Sequence, residues 1–479
     1  MLIRKSFFII GMLISSSVAA AQSTASTSQP STLPTTQSSI PTTCPSEGTE
    51  VYQDQPAGKK MISIYPLVAD LSTDDKPENW LTGDWDGCRK HLVDNGIIFE
   101  SAVTQALQGN AHGGKNTRGG PNYQGSADYY LKFDTARMNL WPAGLIILHG
   151  ETLFGRSAGP DVGAICPPNY DALLPIPDDP GVTTLSEWFM LQSVSKYLTF
   201  SFGKADPTRL ADTNMFANSE KTQFMNMALR NNPTVLPFAP YTTLHFAAIL
   251  SPTPWLSITS AVANNNDKAS ETGFHTGFHS PDHTTVAQEW DFTVKPFGLL
   301  GHQRFGAVWS DKERYILGQQ DSRLGLPSFR FFNLLSRLSG LKNPEMRPDD
   351  WAVYYNFDQY VFTEKDDPTQ GFGFFGRFGW STGLANPTQT FYSLGLGGKG
   401  IIPKRDKDTY GVGYYFYDVS DRLHPYRLGY EQGVEVYYNI EITPWLHLTP
   451  DLQIIQNPGG GLGDRDVAIV YGLRMQTSF

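Results

Sequence analysis

The stretch VAIVYGLRMQTSF at residues 467–479 alternates in character over most of its length. Val467, Ile469, Tyr471, Leu473 and Met475 share one face with Phe479, and Ala468, Gly472, Arg474, Gln476 and Ser478 share the other. A period of two belongs to a strand, because successive side chains leave opposite faces of the pleat. One apolar and one polar face suit a strand with lipid on one side and water on the other. A soluble β-sandwich would show the same alternation between core and solvent, so this segment alone does not separate the two.

The same alternation recurs upstream. Asp128, Tyr130, Lys132 and Asp134 interleave with Ala127, Tyr129, Leu131 and Phe133, and Glu435, Tyr437, Asn439 and Glu441 with Val434, Val436, Tyr438 and Ile440. Marking every such run predicts sixteen strands: 97–106, 126–137, 145–154, 186–194, 197–204, 243–251, 255–263, 286–296, 303–310, 351–361, 372–381, 389–397, 409–418, 432–443, 445–454 and 466–479. Many have the length of a tilted membrane strand, about 9–11 residues. The connections discriminate further. Long ones at 107–125, 155–185, 205–242, 264–285 and 311–350 alternate with short ones at 138–144, 195–196, 252–254 and 297–302. A bacterial outer-membrane barrel has this asymmetry, with both termini in the periplasm, and a sandwich has no reason for it. Pro252, Pro254, Pro296 and Pro444 fall at short turns, where a missing N–H costs no ladder bond. The expected fold is all-β: an antiparallel transmembrane barrel of about 16 strands with a short N-terminal helix and long extracellular loops. Sixteen strands leave an aqueous channel where eight would be filled by side chains.

The rest of the chain fits export. Arg4 and Lys5, the apolar run Phe7–Ile14 and Ala19-Ala20-Ala21 make a signal peptide over 1–21. Residues 22–76 read as a tether, Ser-, Thr-, Pro- and Gln-rich to about residue 46 and unable to bury a core there. Residues 77–96 form a short periplasmic segment with one helix over 82–96, capped by Thr82 or Asp84 and ended by Gly96. Trp85, Arg89 and Leu92 share a face of that helix. The barrel occupies 97–479. Mean hydropathy is −0.31, which disfavours a helical membrane protein but not a barrel, whose strands need lipid-facing side chains only at alternate positions. The formal net charge is −10, and losing Arg4 and Lys5 makes it more negative, against a nucleic-acid partner. Cys44, Cys88 and Cys166 allow at most one internal disulfide, and spacing does not assign it.

Three motifs tempt and fail on context. Gly395, Gly397 and Gly400 fit a dinucleotide fingerprint but run into Ile401, Ile402 and Pro403 rather than a helix. Gly379, Ser381 and Gly383 fit a nucleophile elbow but are followed by a loop. His275, His279 and His283 recur every fourth residue, but Gly277, Ser280 and Pro281 oppose the helix a metal site would need. Glu435 and Glu441 on one strand lie roughly 20 Å apart, too far for glycoside hydrolysis. No catalytic residue, metal site or cofactor is expected.

Several long blocks resemble the carbohydrate-selective porin family of the OprB type: WLTGDWDGCRKHLVDNGI at 80–97, FGKADPTRLADTNMFAN at 202–218 with QFMN at 223–226, GFFGRFGW at 373–380, YSLGLGGKGIIP at 392–403 and YYNIEITPWLHLTPDLQII at 437–455. The resemblance covers about Trp80 to Phe479. Cys88 departs from it, standing where the family has a small Gly. It implies a sixteen-stranded outer-membrane barrel admitting small carbohydrates such as glucose to the periplasm by passive diffusion, with the N-terminal segment and inward-folded loops narrowing the pore and no cofactor.

Sugar passage needs groups that donate and accept hydrogen bonds, and binding weak enough for exit. The loop 205–242, rich in Asn and charges of both signs, is the first candidate to fold inward; those at 155–185 and 311–350 compete. Its candidate pore-lining residues are Arg209, Asp212, Asn214, Asn218, Glu220, Lys221 and Arg230. The wall candidates are Tyr130, Lys132, Glu151, Arg377 and Arg474. The expected partners are monosaccharides, outer-membrane lipid, and barrel-insertion machinery reading the strand that ends in Phe479. A general porin selecting by size and a soluble periplasmic sugar-binding β protein are the alternative readings.

Overall fold

The computed structural model describes residues 76–171, 183–238, 240–265, 283–317, 346–426, 428–461 and 467–479. Sixteen antiparallel strands close into one barrel. They are β1 (Ile97–His112), β2 (Asn122–Asp134), β3 (Gly144–Gly155), β4 (Thr183–Ser193), β5 (Leu198–Ala205), β6 (Thr243–Thr253), β7 (Leu256–Asn264), β8 (Thr284–Val294) and β9 (Gly301–Ser310), then β12 (Asp350–Thr363), β13 (Gly371–Ser381), β14 (Thr388–Lys399), β15 (Thr409–Val419), β16 (Tyr430–Thr443), β17 (Leu446–Gln456) and β18 (Ala468–Ser478). The two-residue strands β10 (Arg314–Tyr315) and β11 (Met346–Arg347) pair with each other outside the barrel. Each expected strand coincides with one of the sixteen to within a few residues.

Closure comes from β18 pairing with β1, as in Arg474 opposite Ala106 and Tyr471 opposite Gly109. Parity then sorts the side chains. Leu452, Tyr471, Leu473 and Val436 point outward and stay exposed, whereas Glu435, Tyr437, Gln453 and Arg474 point inward and are buried. No described helix is long and apolar enough to cross a membrane; the strands carry the apolar face.

The N-terminal helix is shorter than its sequence pattern suggests. It spans Cys88–Asp94, because Trp85, Asp86 and Gly87 take positive φ and form a turn instead. The Asp84 carboxylate accepts from the Lys90 amide across that turn. Arg89 is buried beneath the seam between first and last strands. Its guanidinium lies 4.3 Å from the Trp80 ring and 4.7 Å from that of Trp85. It donates to the carbonyl oxygens of Phe99 (3.2 Å) and Phe479 (2.8 Å). The amide of Leu81 donates to Ser478 O, so this segment straps the seam. Cys88 is disulfide-bonded; Cys166 is free and buried.

Candidate functional site

The segment from Asp206 to Thr242 crosses the lumen. It leaves β5 where the Asp206 amide donates to Glu187 on β4 (2.8 Å). A turn over Pro207–Arg209 is capped by Asp206, whose carboxylate accepts from the Thr208 amide. At Asp212 the chain has reached the far wall. The amide of Asp212 donates to Glu289 on β8 (2.8 Å). Its carboxylate accepts from Asn356 on β12 (2.7 Å) and from Arg377 on β13 (3.2 Å). Arg377 also donates to the carbonyls of Leu229 and Ala217. Farther on, Glu435 on β16 accepts from the consecutive amides of Met225 and Asn226. Arg474 on β18 donates to Glu220 O and Gln223 O. A buried backbone group must find a partner, and the barrel wall supplies carboxylates and guanidinia for the purpose.

Between these polar clips an apolar plug fills the β13–β16 side. Phe216, Phe224, Met227 and Leu229 of the loop pack against Phe375, Phe391, Tyr415 and Tyr437 of the wall. The wall is cut away to receive them. A Cβ on Gly397 would stand 2.6 Å from Phe216 Cβ, and one on Gly413 2.8 Å from a methyl of Leu229. The glycines that imitate a nucleotide motif at 395–400 belong to the end of β14, and Gly397 there makes room for the loop.

A second segment enters beside the first. In 156–171, the amides of Ile165 and Cys166 donate to Glu431 on β16, Gln108 and Gln453 donate to Pro168 O, and Ser126 donates to Asp171. Of the competing segments, 155–185 therefore also folds into the lumen as far as it is described. Most of 311–350 lies outside the described residues, as do His275 and His279.

A cavity of about 250 Å3 lies toward β1–β4. Eight of the twelve residues singled out from sequence line it: Tyr130, Lys132, Glu151, Arg209, Asn218, Glu220, Lys221 and Arg230. The other four, Asp212, Asn214, Arg377 and Arg474, are absent from its lining and hold the loop to the wall; Asn214 donates to Asn356 and to Phe357 O. A smaller cavity of about 90 Å3 lies on the far side of Arg209 and Thr213, against Thr259, Glu289 and His302.

The lining charges are paired. Lys132 meets Glu100 at 2.6 Å, Arg209 meets Glu187 at 2.9 Å, and Arg230 meets Glu220 at 2.9 Å. Lys221 donates to Asp128 and lies 3.5 Å from Asp171 and 3.9 Å from Glu151. Burial works against its charge, but these carboxylates outweigh it and hold its pKa well above the ordinary value. Burial raises Asp171 to about 7, Lys221 opposing and Asp128 adding to the rise. Tyr241 donates to Glu151 at 2.6 Å. Asp128, His149 and Glu151 converge as metal ligands might, but the Lys221 ammonium already supplies a cation there.

Sequence reasoning missed Asp128, His149, Glu187, Asp206 and Tyr241 of this cluster. The signal was available for the first two. Asp128 has the parity of Tyr130, His149 that of Glu151, and Glu187 follows a register shift in the β3–β4 pairing after His149, which hid its inward direction.

Residues 118–479 match the model of the family described as carbohydrate-selective porin, OprB family. Among curated relatives, Porin B of Pseudomonas aeruginosa is 28% identical over 149 residues, covering 27% of this chain and 32% of that one. Porin AaxA of Chlamydia abortus is 24% identical over 300 residues, covering 62% of this chain and 57% of that one. The matched stretches thus span less than two thirds of these relatives. Among solved structures, the high-pH form of Pseudomonas putida OprB superposes with a TM-score of 0.72 at 20% identity, over 84% of this chain and 99% of that one. The low-pH form gives 0.51 at 18% identity over the same shares. These two likenesses concern the fold.

Proposed function

This chain belongs to the OprB family of carbohydrate-selective porins, a barrel of the bacterial outer membrane, and we propose that it passes monosaccharides such as glucose to the periplasm by passive diffusion. The observation that supports this reading is the lining of the cavity beneath the crossing loop. Its guanidinium, ammonium and carboxylate groups are already paired with one another, and tyrosines 130 and 241 stand among them. Paired charges leave directional donors and acceptors without a strong unbalanced field. A sugar hydroxyl both donates and accepts, so it can exchange water for such groups one by one. Binding of this kind favours passage yet stays weak enough for release. Arg209, Asn218, Glu220, Lys221, Arg230, Tyr130, Lys132 and Glu151 are the residues assigned to sugar contact. Asp212, Asn214, Arg377 and Arg474 are assigned to holding the loop that carries five of the eight.

Liposome swelling tests the reading. Vesicles carrying the protein should swell faster in glucose than in a neutral non-sugar of equal size. Equal rates would favour a channel that selects by size alone, and impermeability to glucose would exclude the proposal.

A further inference from the structure

His149 is a fully enclosed polar side chain at the cavity wall. It projects inward from β3 with 1% of its surface exposed. Its Nδ1 lies 2.6 Å from Glu187 on β4, and its Nε2 lies 2.9 Å from Asp128 on β2. The Tyr130 ring stacks on the imidazole, centroids 3.9 Å apart and planes within 7°. Tyr130 in turn accepts a hydrogen bond from Arg209 at 2.7 Å, and Arg209 pairs with Glu187. The contacts close a ring: His149, Glu187, Arg209, Tyr130 and back to His149. From the other imidazole nitrogen a branch runs through Asp128 to Lys221. Arg209 and Lys221 both belong to the crossing loop.

We propose that His149 is a positioning residue of the constriction, acting as an imidazolium that fixes Asp128 and Glu187, the wall carboxylates that hold two of the loop's cations, Lys221 and Arg209. The charge follows from hydrogen-bond direction. An ionised carboxylate only accepts, so both ring nitrogens must donate. The carboxylates are held ionised by cations of their own, Lys221 on Asp128 and Arg209 on Glu187, and Glu187 also accepts from the Asp206 amide. The other ionisable groups facing this cluster include Glu151, 3.9 Å from Nε2, Asp171 beyond Lys221, Lys204 on β5, which interacts with Glu187 and Glu151, and Asp206 and Tyr241, which interact with Glu187 and Arg209. Ser186 stands against Nδ1 at 3.3 Å. A neutral imidazole has one donor and would leave one carboxylate without its bond. Arg209 or Lys221 would then pair with a carboxylate no longer held by His149, and the aperture between loop and wall would loosen.

This inference rests on the reading that the cavity is the passage, and its test separates the two. Single-channel conductance in planar bilayers is recorded from pH 5 to pH 10 for the wild type, His149→Phe and His149→Gln, with glucose block measured at each pH. Phe keeps the stack on Tyr130 but has no donor, and Gln keeps one donor group without the charge. The wild type should show steady, low-noise conductance at acid pH and a step to a larger, noisier one as pH rises. Both variants should show the larger, noisier conductance throughout, with no step. A wild type flat over this range, or variants that keep its profile, would overturn the role of His149. Loss of glucose block with the step retained would instead count against the sugar reading. If His149→Phe does not assemble, the wild-type profile and His149→Gln still decide.

Discussion

Asp212 shows how much a single side chain does where the loop meets the wall. Its backbone adopts a φ of 58°, which Asp tolerates better than most residues. It puts the amide on Glu289 and the carboxylate between Asn356 and Arg377. Replacing it with Ala leaves the Arg377 guanidinium buried without its counter-charge, a loss of roughly 3–5 kcal/mol. Unfolding of the purified barrel in detergent should register that as a lower midpoint in Asp212→Ala, and an unchanged midpoint would contradict the pairing. Asp171 supplies a pH-dependent counterpart. Burial raises its folded pKa to about 7, above the ordinary carboxylate value. A raised folded pKa means stability that is complete at acid pH and lost as pH climbs through about 7. Asp171→Asn removes the titration, so its thermal midpoint should exceed wild type at pH 8 and match it at pH 4. Polar lumen residues were legible in the sequence through strand parity. Their division into lining and anchoring was not, because that depends on where the loop comes to rest.

At the scale of elements, the period-two pattern placed all sixteen strands because lipid on one side and water on the other impose it on each strand separately. The N-terminal helix was overestimated because apolar spacing alone cannot register the positive φ at Trp85, Asp86 and Gly87. The glycines of β14 and β15 were legible only as weak strand residues. Their meaning, a recess for Phe216 and Leu229, needs the partner in view. Gly397→Val should therefore push the plug off the wall. The expected result is a larger single-channel conductance with weaker sugar block, while Gly429→Ala, which meets nothing within 4 Å, should leave both unchanged. A wild-type conductance in Gly397→Val would mean that the plug does not set the aperture.

For the whole molecule, closure of β1 on β18 leaves no sheet edge to pair, and the Arg89 strap crosses that seam. A barrel of this kind should remain in the detergent-extracted envelope fraction and change gel mobility on boiling, and release by osmotic shock would contradict it. Arg89→Ala removes the bonds to Phe99 O and Phe479 O and the packing between two indoles, so the mobility change should occur at a lower temperature. On the proposed reading, the narrowing of the lumen around the lined cavity is what turns the barrel into a selective channel. Its most direct test is the single-channel current of the purified protein in a planar bilayer with glucose added in steps. The account predicts a conductance that falls with glucose and saturates, and falls less with a neutral non-sugar of equal size; a current that glucose leaves untouched would contradict it.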